Sequence, residues 1–151
     1  MVDMIRAQLR KTATATVTAT AWEEGRYDAP AGQPALAQAE FPLTYQGDLV
    51  GESTTRLLLV YTDGDPAKPA TLVGDYVGLE RVTGTLDGRT GSFVVQQQGR
   101  HENGVARTKG RILPESATGD LVGLQGEVES AASDTTYQVT ISYAFHDPAV
   151  H

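Results

Sequence analysis

From Thr12 to Trp22 the chain runs Thr-Ala-Thr-Ala-Thr-Val-Thr-Ala-Thr-Ala-Trp, with threonine at every second position. Threonine's branched Cβ fits a pleated strand, and a period of two sends successive side chains to opposite faces. The run therefore predicts a strand with one hydroxyl face and one small apolar face. The same period returns near the end of the chain. There Tyr137, Val139, Ile141, Tyr143 and Phe145 share one face, and Gln138, Thr140, Ser142 and Ala144 the other.

Between these two segments, further strands are predicted over residues 35–48, 52–62, 71–80, 91–100, 104–113 and 124–129, and the last strand over 135–146. Their separators carry turn chemistry: Asp63-Gly-Asp-Pro66, Asp87-Gly88, Glu102-Asn-Gly104 and Pro114-Glu-Ser-Ala-Thr-Gly119. Residues 23–34, rich in Gly, Pro and Asp, read as a loop. Only residues 1–11, with Ile5 and Leu9 one helical turn apart, suit a helix, and a short one. Eight antiparallel strands without covering helices must close into a barrel or stack as two sheets to hide their edges. Periodicity alone does not separate a barrel from a Greek-key sandwich. Glycines inside the strand-like runs (Gly74, Gly78, Gly84, Gly99 and Gly110) supply the kinks that barrel corners need, and favour an all-β, eight-stranded antiparallel barrel. The expected organisation is an extension over 1–11 and one barrel domain over 12–151.

Composition removes several classes of function. At 151 residues the chain suits one domain with a proper core. It has no cysteine, so thiol catalysis, disulfides and thiolate metal sites are out. Its formal charge of −7 leaves no basic stripe for nucleic acid. No apolar run suits a secretory signal or a membrane-spanning helix, so a cytoplasmic protein without a membrane partner is expected. His101, His146 and His151 fall into no ligand spacing, so no metal is expected. No phosphate loop occurs, and Ser53, Ser92 and Ser116 sit in no nucleophile elbow, so no cofactor and no serine triad are expected.

One segment has a specific likeness. Gly78-Leu-Glu-Arg-Val-Thr-Gly-Thr-Leu-Asp-Gly-Arg-Thr-Gly-Ser-Phe-Val-Val-Gln96 resembles the central signature of the DUF3224 family, whose function is uncharacterised. Leu113-Pro-Glu-Ser-Ala-Thr-Gly-Asp-Leu-Val-Gly-Leu-Gln-Gly126 and Trp22-Glu-Glu-Gly-Arg-Tyr27 fit the same pattern. The chain departs from that pattern at Gln96-Gln97, where the family tends to carry Gln-His, and in the glycine-poor stretch before Gly119. The resemblance implies a barrel similar to that of allene oxide cyclase, with an open lumen. Relatives with that barrel include cofactor-free cyclases, and their habits make a homo-oligomer the expected assembly.

Candidate residues follow from chemistry that such a lumen can use. A carboxylic acid facing apolar surroundings has its pKa raised by desolvation and exchanges protons near neutrality. Glu24 and Tyr27, beside Trp22, and Glu80, inside the signature block, are the candidates for such a role. The plainer alternatives are a solvated loop for Glu24 and a cross-strand ion pair for Glu80, with Arg56 as one partner. Arg81 must point away from Glu80, because neighbours on a strand face opposite ways. Trp22, Arg56, Tyr61, Tyr76 and Gln96 are the candidates to line a ligand site, a glutamine by donating to a carbonyl. Ordinary aromatic packing of Tyr45, Tyr61, Tyr76, Tyr137 and Tyr143 is the competing account of the phenols. Three functions stay open: a cofactor-free cyclase or isomerase acting on a flexible polyketide- or lipid-like substrate, a non-catalytic carrier of a small apolar molecule, and a structural oligomer with a filled core.

Overall fold

The structure, a computed structural model, describes residues 11–28 and 30–146. The helix expected over 1–11 lies outside those residues apart from Lys11, which opens the first strand. Nine strands follow in chain order: β1 (Lys11–Ala19), β2 (Glu23–Asp28), β3 (Ala35–Gly47), β4 (Leu49–Asp65), β5 (Lys68–Leu86), β6 (Arg89–Glu102), β7 (Val105–Ile112), β8 (Leu124–Ala132) and β9 (Thr136–Phe145). From β3 to β9 each strand pairs antiparallel with the next, and β1 pairs antiparallel with both β9 and β3. Eight strands thus form a closed ring, and the sandwich alternative falls away. Among the described residues no helix is long and apolar enough to cross a membrane.

The ring closes with a stagger. A row of paired residues starts at Lys11 and passes through Tyr143, Gly126, Ile112, Val95, Glu80, Thr55 and Phe41. Phe41 faces the break between β1 and β2 near Trp22, not Lys11. Such an offset tilts the strands and is what lets a twisted sheet meet itself.

That break differs from the sequence expectation. The Thr/Ala strand stops at Ala19, paired with Leu43, and pairing with β3 resumes at Glu23 opposite Glu40. Three residues of one strand face two of the other there, the count of a β-bulge. Trp22 sits at this corner, 52% exposed, its ring stacked on Phe41 with centroids 4.5 Å apart. The loop expected from residue 23 therefore begins only after Asp28, because the chain continues along β3 once it has left β9.

Alternation decides the inside of the ring. Ala13, Ala15 and Val17 are buried while Thr12, Thr14 and Thr16 are exposed, so the small apolar face of β1 points inward. Val139, Ile141 and Tyr143 do the same on β9. One end is packed solid by Leu49, Leu86, Phe93, Leu121 and Leu124, each almost fully buried. β7 ends opposite Val95, which leaves the start of β6 without a strand neighbour on that side. The segment after β7, with two short 3₁₀ turns (Pro114–Ser116 and Gly119–Leu121), takes that edge. Its backbone bonds Leu113 N–H to Val94 O at 2.9 Å and Thr118 N–H to Ser92 O at 2.8 Å, and it drops Leu121 into the apolar end.

Two tight hairpins use the residues expected of them. Asp87-Gly88 (φ 56° and 75°) and Asn103-Gly104 (φ 54° and 75°) place both central residues in the left-handed region, as a type I′ turn requires. Gly88→Val forces a branched side chain into that region and is expected to destabilise the fold by about 1–2 kcal/mol. Gly25→Ala, where an added Cβ meets nothing within 4 Å, is the neutral control. Urea denaturation of both variants checks this, and equal midpoints would refute the turn assignment.

Candidate functional site

On β5 the even-numbered residues face inward, so Tyr76, Glu80, Val82 and Leu86 are buried and Arg81 is exposed. A carboxyl therefore sits on the inner wall of an otherwise apolar ring, with Glu80 only 4% exposed. Tyr45, from β3, and Ser53, from β4, both donate hydroxyl hydrogen bonds to its Oε2, that from Ser53 at 2.6 Å. Its other oxygen, Oε1, accepts no hydrogen bond from the described residues, and no cation pairs with the carboxyl. Thr55 lies directly across from Glu80 in the β4–β5 ladder. Its Oγ1 is the one fully occluded side-chain polar atom among the described residues without a partner. Tyr137 of β9 also faces inward, half-buried, and its hydroxyl is bonded to no other described residue.

The electrostatics follow from burial. Desolvation pushes the Glu80 carboxyl above its ordinary value of 4.5, against the pull of the Ser53 and Tyr45 hydroxyls, which favour the carboxylate. Burial, then the Glu80 charge, holds the Tyr45 phenol well above its usual value. Tyr137 is raised by the same two causes, with a smaller contribution from Tyr76. Tyr76 is raised by burial, opposed by its bond with Thr108. The site is therefore a ring of un-ionised phenols and hydroxyls around one acid that holds its proton more tightly than a free glutamate does.

Glycine makes room for part of this arrangement. The Tyr76 ring lies across Gly99, and its hydroxyl meets Thr108 Oγ1 of β7 at 2.5 Å. A Cβ at Gly99 would run into that phenol and into the backbone oxygen of Arg107.

The sequence candidates are distributed unevenly around this centre. Glu80 is buried in the wall and Tyr76 stands on the same face. Tyr61 is half-buried at that face and donates from its hydroxyl to Glu24 at 2.5 Å. Glu24 itself, paired with Ala39 in the ladder, is exposed and away from the Glu80 cluster. The side chain of Tyr27 lies outside the described residues. Trp22 caps the β1–β2 corner on Phe41.

Two candidates point the wrong way for lining a lumen. Arg56 stands between the inward Thr55 and Leu57, so it faces solvent and pairs with Glu40 at 3.5 Å, not with Glu80. Gln96 follows the inward Val95 and is exposed; Gln97 is the half-buried member of the run on the inner face. The cross-strand ion pair considered for Glu80 is thus replaced by two neutral donors. Nothing local in the sequence marks Ser53 as a partner of Glu80, although it shares the parity of the buried Leu57 and Leu59 on β4.

Chemically, a carboxyl with one oxygen bound and the other unbonded can, when protonated, donate a proton or a hydrogen bond through the unbonded side. Among the described residues no three His, Asp or Glu side chains converge to hold a metal. Outside the ring, a concave saddle of about 800 Å³ runs over β5 to β9. Its charged lining is largely self-paired, Arg100 with Asp75 at 3.0 Å and Lys109 with Glu129 at 3.7 Å.

The profile of the family described as "Protein of unknown function (DUF3224)" matches residues 13–144. This chain belongs to the DUF3224 family. A crystal structure of a DUF3224 protein of unknown function from Shewanella oneidensis MR-1 has a similar fold, with a TM-score of 0.68. The likeness spans 91% of this chain and 100% of that one at 24% identity, and so bears on fold alone. No curated protein matches the sequence.

The Glu80 environment in this DUF3224 protein has a consequence for stability. A carboxyl whose native pKa is raised stabilises the fold fully below the unfolded value, near 4.5, and loses that contribution as pH rises through the native value. Glu80→Gln keeps the shape and an acceptor for Tyr45 and Ser53 without the ionisation. The thermal midpoint of wild type is expected to fall relative to Glu80→Gln as pH is raised from 4 to 8. A midpoint difference that does not change with pH would show that Glu80 does not titrate abnormally.

Proposed function

We propose that this DUF3224 barrel holds a small, largely apolar molecule against its inner wall. We further propose that Glu80 exchanges a proton with that molecule in a cofactor-free isomerisation or cyclisation. The observation that carries this reading is the placement of Glu80. A carboxyl with no cationic partner is expensive to bury, and hydrophobic packing of the same volume would stabilise the ring more. Retaining it on the inner face, with two hydroxyls fixing one of its oxygens and the other unbonded, is what acid–base chemistry requires.

In this reading the apolar wall restricts a flexible chain to conformers close to the reactive one, which supplies much of the rate gain. Tyr45 and Ser53 are positioning residues that aim the carboxyl. The allene oxide cyclase-like barrel that the resemblance to the DUF3224 family implies is consistent with the same chemistry, by analogy of fold alone. A carrier can hold its ligand with any hydrogen-bond donor on this wall, whereas proton exchange needs a titratable one, so the Glu80 cluster favours a catalyst over a carrier. A structural protein with a filled core accounts for the packed leucine end but not for the carboxyl. Self-association fits the outer face, where Leu58 and Val77 pair across β4 and β5 and stand exposed with Leu79.

Native mass spectrometry of wild type and Glu80→Gln, each incubated with an apolar extract of the producing cells, tests this reading. Both proteins are expected to retain a compound of a few hundred daltons. Chromatography of the incubation should reveal an isomer of equal mass made by wild type and formed about 10²-fold more slowly by the variant. Equal rates would remove Glu80 from the chemistry, and failure of both proteins to retain any small molecule would remove the site.

A further inference from the structure

The pattern of hydrogen bonds at Glu80 says more than that the residue is acidic. Tyr45 and Ser53 approach from two strands and both donate to Oε2. Two donors on one oxygen leave the proton of the neutral acid to the other, so Oε1 is the donor side of the carboxyl. On the same inner face stand two more hydroxyls without partners among the described residues: Thr55 Oγ1, fully occluded directly across the ladder, and the half-buried Tyr137. An unpartnered buried hydroxyl is uncommon in folded proteins and is costly to leave unmade. Among the described residues no cation pairs with these groups, and the chain carries a formal charge of −7.

We infer that the inner-wall site selects an uncharged ligand through a single carbonyl-type oxygen, which accepts a hydrogen bond from Glu80 Oε1 with the half-buried Tyr137 as the neighbouring hydroxyl on that face. The inference rests on the proposal that the barrel holds a small apolar molecule, and it adds the class of that molecule. Ketones, enones and esters fit. Carboxylates and phosphates do not, because no positive group among the described residues stands beside Glu80 to offset their burial. Alkanes fit the wall but leave the donors unmet.

The preference should depend on pH in one direction. Neutral Glu80 donates; the carboxylate accepts only and repels a carbonyl oxygen. The titratable groups that face it are the phenols of Tyr45 on β3, Tyr76 on β5 and Tyr137 on β9, all displaced upward, so they stay protonated through neutrality. β4 contributes the hydroxyls of Ser53 and Thr55, and β6 contributes Val95 across the ladder. Of the groups that face the site, Glu80 is therefore the one whose loss of a proton as pH rises can weaken the preference.

Three naphthalene probes of matched size provide the test: 6-propanoyl-2-(dimethylamino)naphthalene, its 6-propyl analogue, and the 6-carboxylate. Binding to full-length wild type, Glu80→Gln and Glu80→Leu is followed by fluorescence titration from pH 5 to 8. The ketone is expected to bind wild type roughly tenfold more tightly than the propyl compound, the worth of one good hydrogen bond, and the carboxylate most weakly. That margin should shrink as pH rises in wild type and stay level in Glu80→Gln, whose amide N–H donates at every pH. It should vanish in Glu80→Leu; if Glu80→Leu does not fold, the pH profile of Glu80→Gln decides alone. Equal binding of ketone and propyl probes, a preference for the carboxylate, or a margin untouched by Glu80→Leu would overturn the carbonyl assignment while leaving the apolar site standing. Failure of all three probes to bind wild type would overturn the site itself.

Discussion

The ladder between β1 and β3 holds the architecture together, because it is the one contact that turns a meander into a ring. Without it, β1 and β3 would each present a row of unpaired backbone donors and acceptors to solvent, and the inner faces of all eight strands would lose their common interior. The ladder runs only from Ala15 to Ala19 on β1. It holds because small residues at Ala13, Ala15 and Val17 let the strand lie close against the core where its two ends meet. The bulge at residues 20–22 then ends that contact and turns the chain onto β2, with Trp22 stacked on Phe41 as the cover of the corner.

Closure also creates the setting for Glu80. On an open sheet the same carboxyl would face water on at least one side and behave as an ordinary glutamate. Inside the ring it is removed from water by neighbours on both flanks, Thr55 on β4 and Val95 on β6, and its only direct help comes from two neutral hydroxyls. Neutral donors offset part of the desolvation and none of the missing counter-charge, so the proton is held more tightly than in solution. The same low-dielectric surroundings carry the influence of Glu80 to Tyr45 and Tyr137, which come from strands far apart in the chain.

The ring is not uniform along its axis. The end closed by Leu49, Leu86, Phe93, Leu121 and Leu124 is packed as a protein core, and the segment after β7 both seals the exposed start of β6 and supplies one of those leucines. The polar inner residues lie on the strands beyond that plug: Ser53, Thr55, Glu80, Tyr45, Tyr137 and, further along β5, Tyr76 with Thr108. The packed apolar end and the polar inner wall thus occupy different stretches of the same strands.

The sequence by itself determined the strands, their turns and the choice of inner face wherever one face was plainly apolar, as in Thr12–Ala19 and Tyr137–Phe145. A period of two is a local property and needs no partner to be read. Asp87-Gly88 and Asn103-Gly104 are legible for the same reason, since a positive φ at both residues is a demand on the residues themselves. The phase was hidden at two places. Leu57-Leu58-Leu59-Val60 is apolar on both faces, so nothing local shows that Arg56 points outward, and three successive glutamines conceal that Gln97 rather than Gln96 turns in. The bulge before Glu23 interrupts the alternation, and so Glu24 could not be placed from the strand that precedes it. What only the tertiary structure decided is which side chains meet. Tyr45, Ser53 and Glu80 come together because ladder register sets three strands side by side at one height, and register is a long-range property fixed when the whole ring packs.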